Sequence, residues 1–236
     1  MIIHKKLKSY FLGMLFFLFL ISGCKKSTDL KLAGSLNVIN ASPGITSAKV
    51  RTPYAQGYYN VLLGVNYGNN RVFNVPTGEV PVSLMLSSDT TKPFYTTSFN
   101  CSAGEIFSYF ISGAAGEDII TNKDEIPLRS DSTFGLRFIN LSYNSTPVNV
   151  TLDVTPNTNE FTSIAYKSLT DFKGYPAKAS DPATYNFQVW DNNSNLLASW
   201  SITSASFVQR NCTLVFKGVV GGSGLTAPGL FTVKNF

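Results

Sequence analysis

The sequence predicts an all-β fold built from two tandem β-sandwiches. Short runs of β-branched and aromatic residues alternate with clusters of Gly, Pro, Asn and Asp from residue 34 onward. No stretch sustains the hydrophobic period of an amphipathic helix. The segment 35–42, SLNVINAS, returns at 135–142 as GLRFINLS, with Leu, Ile, Asn and Ser in the same order. The chain is therefore internally duplicated.

Each repeat contains runs that alternate apolar and polar residues, as a half-buried strand does. Seven such runs in about a hundred residues are typical of a β-sandwich. In the first repeat the expected strands are 35–40, 47–52, 58–66, 70–75, 80–86, 94–100 and 105–112. In the second repeat they are 135–140, 147–153, 160–166, 184–190, 196–202, 206–217 and 229–235.

The first residues predict export and lipid attachment. Three lysines between positions 5 and 8 precede an apolar stretch at 10–21, and Leu-Ile-Ser-Gly-Cys at 20–24 has the pattern of a lipobox. As a helix the apolar stretch spans roughly 18 Å, short of a hydrocarbon core of about 30 Å. We therefore expect a lipoprotein signal peptide at 1–23. An ordinary secretory signal with a chance cysteine is the alternative.

Similarity to bacterial lipoproteins implies that Cys24 becomes the first residue of the mature chain and carries a diacylglyceryl thioether and an amide-linked acyl chain such as palmitate. Two or more acyl chains attach a protein stably to a membrane. No acidic residue directly follows Cys24, which favours the outer membrane over retention in the inner one. Whether the protein faces the periplasm or the cell surface stays open.

The repeat and the composition set the domain boundaries. We expect an acylated tether at 24–33, a first β-sandwich domain at 34–120, a linker at 121–133 and a second, diverged β-sandwich domain at 134–236. The connecting segment 117–132 is polar, acidic and contains proline. Such a composition is typical of an exposed connection between domains.

Composition excludes several classes of function. Removal of the signal peptide leaves 16 of the 19 basic residues against 14 acidic ones, without a basic cluster that could follow a nucleic-acid backbone. His4 is the only histidine, so the mature chain cannot build a Ser-His-Asp triad or a histidine metal site. Cys101 and Cys212 form no Cys-x-x-Cys motif and are expected to be buried free thiols, although their pairing cannot be read from the sequence. We expect no metal and no cofactor.

Carboxylates leave one catalytic alternative open, because a glycoside hydrolase needs only two acids on opposite sides of a sugar. Four acids, at 117, 118, 124 and 125, lie in the connecting segment, where a solvated linker explains them. Asp191 opens a run of Asn and Ser that predicts a hairpin turn. The triplets beginning with Asp89-Thr90 and Asp131-Ser132 are similar to the O-glycosylation motif of Bacteroidota. Whether they are modified stays open.

Exposed aromatic residues are the remaining indication of binding. Tyr185, Phe187 and Val189 share one face of their strand, so Trp190 points away from the core. We take Trp190 as a candidate platform on which a ligand ring stacks, with packing between domains as the alternative. Adjacent Tyr58 and Tyr59 form a second, weaker candidate, because one of the two faces outward on a strand. The other tryptophan, Trp200, is in phase with core residues.

The segment 37–43, Asn-Val-Ile-Asn-Ala-Ser-Pro, followed by Val-Asn-Tyr-Gly at 65–68 and Val-Pro-Thr-Gly at 75–78, resembles domain-of-unknown-function family 4397, which recurs in envelope lipoproteins of Bacteroidota. The family commonly has histidine where this chain has Asn40, and the second repeat lacks the proline. The resemblance covers nearly all of the mature chain. It implies immunoglobulin-like β-sandwich domains and no established activity.

These observations together predict a non-enzymatic, lipid-anchored cell-envelope protein. We expect a binding or interaction module in surface glycan handling or adhesion, with a glycan or another envelope protein as partner, the membrane reached through Cys24, and no nucleic acid. A structural spacer of the envelope is one alternative. A carboxylate-dependent glycoside hydrolase is the other.

Overall fold

Sixteen β-strands make up the secondary structure of residues 32–54 and 62–235, the part of the chain that the computed structural model describes. The only helical elements in these residues are two short 3-10 turns, Ser204–Ser206 and Gly224–Thr226. The prediction of an all-β fold is confirmed. Cys24, Tyr58 and Tyr59 lie outside the described residues.

The first repeat contains eight strands. They are β1 (Ala33–Asn40), β2 (Ser47–Arg51), β3 (Leu63–Asn66), β4 (Asn69–Pro76), β5 (Gly78–Leu86), β6 (Asp89–Cys101), β7 (Ile106–Ser112) and β8 (Asp118–Lys123). The second repeat contains β9 (Thr133–Asn140), β10 (Val148–Leu152), β11 (Thr155–Ile164), β12 (Lys173–Pro176), β13 (Thr184–Trp190), β14 (Leu196–Thr203), β15 (Asn211–Lys217) and β16 (Gly229–Asn235).

Strand pairing shows the duplication directly. The first repeat has sheets of order β4-β1-β7-β8 and β3-β2-β5-β6, and the second has β12-β9-β15-β16 and β11-β10-β13-β14. Adding eight to each strand number converts the first pair of orders into the second. In both repeats the first and seventh strands pair in parallel while all other neighbours are antiparallel. The internal repeat in the sequence therefore corresponds to a repeated topology.

Each repeat has its own hydrophobic core, formed by the inward side chains of its two sheets. Phe73 and Leu84 are fully buried in the first core, and Phe138 and Phe187 are fully buried in the second. The alternating pattern supplies these residues, because every second side chain of a strand points to the same face.

A third cluster joins the two repeats. It contains Ile39, Phe110, Ile139 and Val215, all fully buried, on the opposite faces of the sheets that contain β1, β7, β9 and β15. These central strands are buried on both faces, which explains their nearly continuous apolar sequence. Leu32–Phe236 accordingly forms one compact unit.

An asparagine fixes the turn after the first strand of each repeat. The fully buried Asn40 donates from Nδ2 to the carbonyl oxygens of Ile45 and Val65, at 2.8 and 3.2 Å, and accepts a hydrogen bond from the Ser42 N–H. Asn140 makes the equivalent contact with the Ser142 N–H. The Ile-Asn-x-Ser motif is therefore a structural clasp for buried backbone groups, which need hydrogen-bond partners.

The predicted solvated linker is wrong for two of its four acidic residues, Asp118 and Asp124, whereas Glu117 and Glu125 are exposed. Asp118 begins β8, which extends to Lys123, and the Asp124 carboxylate is fully buried, 2.8 Å from Nη2 of Arg137. Ser108 Oγ also donates to Asp124, at 2.5 Å. The segment was mistaken for a linker because its charges suggest exposure. Pairing with Arg137 allows Asp124 to be buried instead.

Most expected strands have an observed counterpart, but several bounds differ. β8 and β12 were not expected, β6 begins at Asp89 rather than 94, β11 at Thr155 rather than 160, and β15 at Asn211 rather than 206. The expected strand 58–66 lies partly outside the described residues, and β3 begins at Leu63. Both missed strands lie at sheet edges. Edge strands need less apolar sequence because one side of their backbone stays unpaired.

Cys101 and Cys212 are both buried and are not bonded to each other. Each lies in the core of a different repeat. Burial raises the pKa of the Cys212 thiol to about 12, which keeps it protonated and unreactive at neutral pH. Among the described residues there is no helix whose length and apolarity would let it cross a membrane.

Candidate functional site

A pocket of about 270 Å³ opens on the second repeat, beside Trp190. It lies on the face of the β11-β10-β13-β14 sheet that is turned away from the core, because Asn149 and Trp190 are cross-strand partners and alternate with the buried Val150 and Val189. Its described lining residues are Asn149, Thr151, Pro156, Asn157, Asn159, Trp190, Asp191 and Ser194. The pocket is at the small end of the range for ligand sites.

The indole of Trp190 is held in place rather than free to rotate. Its Nε1 donates to the hydroxyl of Thr151, 3.0 Å away, and the side chain is partly buried. The prediction that Trp190 points away from the core is confirmed by its position on the outer face. A fixed aromatic ring is what a stacking platform requires, since little conformational entropy is lost on binding.

One wall of the pocket depends on an irregularity between β10 and β11. Their register shifts three times between Val148 and Leu152, so that some residues of β11 have no pairing partner on β10. Ser163 adopts a positive φ of 52°, and its N–H donates to Oδ1 of Asn149 at 2.8 Å. Bulges of this kind bend a strand and redirect its side chains. Here the bend places Asn157 and Asn159 at the pocket.

The turn after β13 forms the other wall. Oδ1 of Asp191 accepts hydrogen bonds from the N–H groups of Asn193 and Asn195, and Oδ2 accepts one from the Asn195 side chain. These hydrogen bonds, led by that of the Asn195 amide group, lower the pKa of Asp191. The predicted hairpin turn is confirmed, and its carboxylate organises the turn.

Most side chains that line the pocket are neutral and polar, and they surround one aromatic ring. Its described lining contains three asparagines, two hydroxyl residues, a proline and Trp190, with Asp191 as its single charge and no Lys or Arg. Amides and hydroxyls can both donate and accept hydrogen bonds. The pocket therefore suits an uncharged ligand rich in hydroxyl groups.

At the position equivalent to Trp190, the described part of the first repeat has a methionine instead of an aromatic residue. Met85 pairs with Lys49 as Trp190 pairs with Asn149, which makes the two residues structurally equivalent. Met85 is fully buried, whereas Trp190 is partly exposed. The repeats have therefore diverged at the position where the pocket forms.

Trp200 does not belong to the core as expected. It shares the inward face of its sheet with Phe187, its cross-strand partner, but it is 38% exposed. The reason is that β14 is an edge strand, so no neighbour covers its outer side. The alternation of residues along a strand predicts which face of the sheet a side chain is on. It does not predict whether the strand lies at the edge of the sheet.

Two carboxylates line a cleft that is separate from the Trp190 pocket. Glu125 and Asp171 line an open cleft of about 410 Å³ together with Ile126, Pro127 and Phe172. Both acids are exposed, whereas the general acid of a glycosidase is set in an apolar pocket. Within residues 32–54 and 62–235, no group of three or more His, Cys, Asp or Glu side chains could hold a metal ion.

Sequence reasoning singled out Trp190 and Asp191 and missed the other residues that line the pocket. Asn149 and Thr151 alternate with core residues on β10, which could have identified them as outward-facing. Asn157 and Asn159 reach the pocket only through the shifted register of β11. A long-range bulge of this kind leaves no local sequence pattern.

Comparison with known proteins does not assign a family. No protein-family model matches the chain, and no curated protein matches its sequence. Among solved structures, it is similar to an α-glucan-recognising family 41 carbohydrate-binding module of streptococcal virulence factors, with 11% identity over 84% of this chain and 96% of that one (TM-score 0.28). The C-terminal domain of AlgF from P. aeruginosa is 15% identical over 41% of this chain and 100% of that one (TM-score 0.27). The Bacillus anthracis TIE protein is 14% identical over 80% of this chain and 34% of that one (TM-score 0.27). Likenesses at such scores carry no argument about this chain.

Proposed function

We propose that this protein is a non-enzymatic glycan-binding module of the bacterial cell envelope. It takes a neutral sugar into the pocket beside Trp190. The single observation that carries the proposal is the combination of a hydrogen-bonded indole with amide and hydroxyl groups in one pocket whose described lining contains no basic residue. A sugar ring presents an apolar face of C–H groups and a rim of hydroxyls, and this pocket offers a partner for each.

The remaining parts of the proposal are based on the amino-acid sequence. The two repeats are immunoglobulin-like domains related to domain-of-unknown-function family 4397, and acylated Cys24 attaches them to the outer membrane. The tether predicted at 24–33 then links this anchor to the first domain. Mass spectrometry of the N-terminal peptide from membrane fractions tests the anchor, which an unmodified Cys24 would refute.

Binding can be measured on the fragment 25–236, which retains the whole compact unit Leu32–Phe236. The chain has two tryptophans, so Trp200→Phe leaves Trp190 as the single fluorescent reporter of the pocket. We expect neutral hexose oligosaccharides to change its emission in a saturable way. An acidic oligosaccharide of the same length should bind more weakly, because Asp191 is the only charge in the described lining.

Trp190→Ala tests the role of the platform. Loss of a central aromatic contact costs about 2 kcal/mol or more, which corresponds to roughly a 30-fold weaker affinity. Trp200→Ala is the matched control, because it removes the same side chain from an edge of the same repeat. Unchanged affinity in Trp190→Ala, measured by calorimetry, would rule out the pocket as the binding site. No binding of any neutral oligosaccharide at millimolar concentration would favour the structural spacer.

A further inference from the structure

A second concave site lies in the first repeat, where the two sheets meet at the open edge between β6 and β8. This aromatic groove has a volume of about 190 Å³ and is lined by residues of β6, β7 and β8. Tyr95 and Phe99 of β6 face Phe107 and Tyr109 of β7, and the Phe99 and Phe107 ring centroids are 4.4 Å apart. Nothing in the proposed function uses this groove.

One difference between the repeats lies at this groove. Thr97 pairs with Val82 in the first repeat, and Trp200 pairs with Phe187 in the second. Val82 and Phe187 occupy equivalent positions, since Val50 pairs with Leu84 as Val150 pairs with Val189. A small threonine therefore stands where the second repeat has an indole.

Strand packing at the two edges agrees with this comparison. In the second repeat β14 packs directly against β16, whereas the equivalent β6 and β8 do not make such a close contact. Thr97 is smaller than the tryptophan at the equivalent position of the second repeat. The aromatic groove lies beside it.

The rim of the groove is polar but electrically balanced. Thr97, Ser98 and Thr121 bring hydroxyl groups to it, and Asn122 brings an amide. The only cation among the described lining residues is Lys123, whose Nζ lies 2.6 Å from a carboxylate oxygen of Glu105. The ion pair compensates its charge, so the groove does not select an anion.

We propose that the aromatic groove is a second binding site for a neutral sugar ring. The ring lies against the aromatic side chains beside Thr97, and its hydroxyls bond to the threonine, serine and asparagine side chains of the rim. The two repeats then bind the same class of ligand through different surfaces. Two sites on one compact unit raise the avidity for a polysaccharide without any new contact.

The test fills the groove with the side chain of the other repeat. Thr97→Trp introduces the side chain found at the equivalent position of the second repeat and narrows the groove, and Thr97→Val is the matched control that leaves the space open. Calorimetry with a panel of neutral hexose hexaoses, linked α or β, should give two bound oligosaccharides per wild-type fragment 25–236. We expect Thr97→Trp to remove one of the two and Thr97→Val to remove neither.

The outcomes separate this proposal from the proposed function. If Thr97→Trp removes one site and the remaining site disappears with Trp190→Ala, both proposals are supported. If wild type binds one hexaose that Trp190→Ala abolishes and Thr97→Trp leaves intact, the groove is refuted and the proposed function stands. The reverse pattern refutes the proposed function and supports the groove. Binding of an aromatic compound but of no sugar would overturn the sugar assignment.

Thr97→Trp could also disrupt the first repeat, so a second variant removes a ring instead of adding one. Tyr95→Ala deletes one aromatic wall from a partly exposed position. We expect it to weaken binding at the groove about tenfold, with the affinity at Trp190 unchanged. An unaltered affinity at both sites in Tyr95→Ala would refute the groove independently of Thr97→Trp.

Discussion

Asp124→Asn is expected to destabilise the protein severely, although it changes only one atom of a side chain. The Asp124 carboxylate is 0% exposed and the Arg137 side chain 4% exposed, and they form an ion pair of 2.8 Å at the seam between the repeats. The substitution keeps the shape but leaves the guanidinium buried without its counter-charge. Breaking a buried pair from one side costs about 3–5 kcal/mol.

Urea unfolding of the fragment 25–236 measures this cost. With a denaturant slope of about 2–3 kcal/mol/M, the midpoint should fall by about 1–2 M. Lys123→Gln is the control, since it breaks the Lys123–Glu105 pair, whose lysine is 57% exposed. Exposed pairs contribute about 0–1 kcal/mol. A midpoint for Asp124→Asn no lower than that of Lys123→Gln would refute the reasoning.

A double variant distinguishes a lost attraction from an unpaired charge. Replacing both partners, with Asp124→Leu and Arg137→Met, removes the charges together and fills the space with apolar atoms. Such replacements are often neutral or stabilising. We therefore expect the double variant to be more stable than Asp124→Asn, and a double variant at least as unstable would show that the hydrogen bonds of Asp124 matter more than its charge.

Two further predictions concern single buried groups. Asn40→Ala should lower the free energy of unfolding by about 2–4 kcal/mol, because it leaves buried backbone groups unpaired. The control Asn69→Ala removes an exposed side chain and should change this free energy by less than about 0.5 kcal/mol. Equal thermal unfolding midpoints of the two variants would contradict the structural role of Asn40. Burial raises the pKa of Tyr109 to about 12, above about 10 in an unfolded chain. Its contribution to stability is therefore present below pH 10 and lost as pH rises toward 12. Tyr109→Phe should reduce that alkaline loss in urea titrations, and an unchanged pH profile would contradict it.

Agreement between sequence and structure is best where a local pattern reports a physical constraint. The alternation around Phe187 and Val189 placed Trp190 outside the core, because a strand has only two faces. The same alternation was wrong for the exposure of Trp200. It gives no information on whether a strand is at an edge or on what covers its outer face.

Charge was the least reliable basis for predicting which residues are exposed to solvent. The acidic segment around Asp124 reads as solvated, yet its carboxylate is buried because Arg137, thirteen residues later, pairs with it. Polar sequence likewise concealed β8 and β12. Pairing partners for polar groups are long-range contacts, and no local pattern reports them.

The amino-acid sequence by itself determined the all-β class, the duplication and most strand positions, because these depend on the period of apolar residues and on turn residues. Tertiary structure decided how the two sheets stack at Ile39 and Ile139, which carboxylate became buried, and where the pockets opened. Those features arise when separate strands meet: the shifted register of β11 brings residues to the Trp190 pocket, and β6, β7 and β8 together line the aromatic groove.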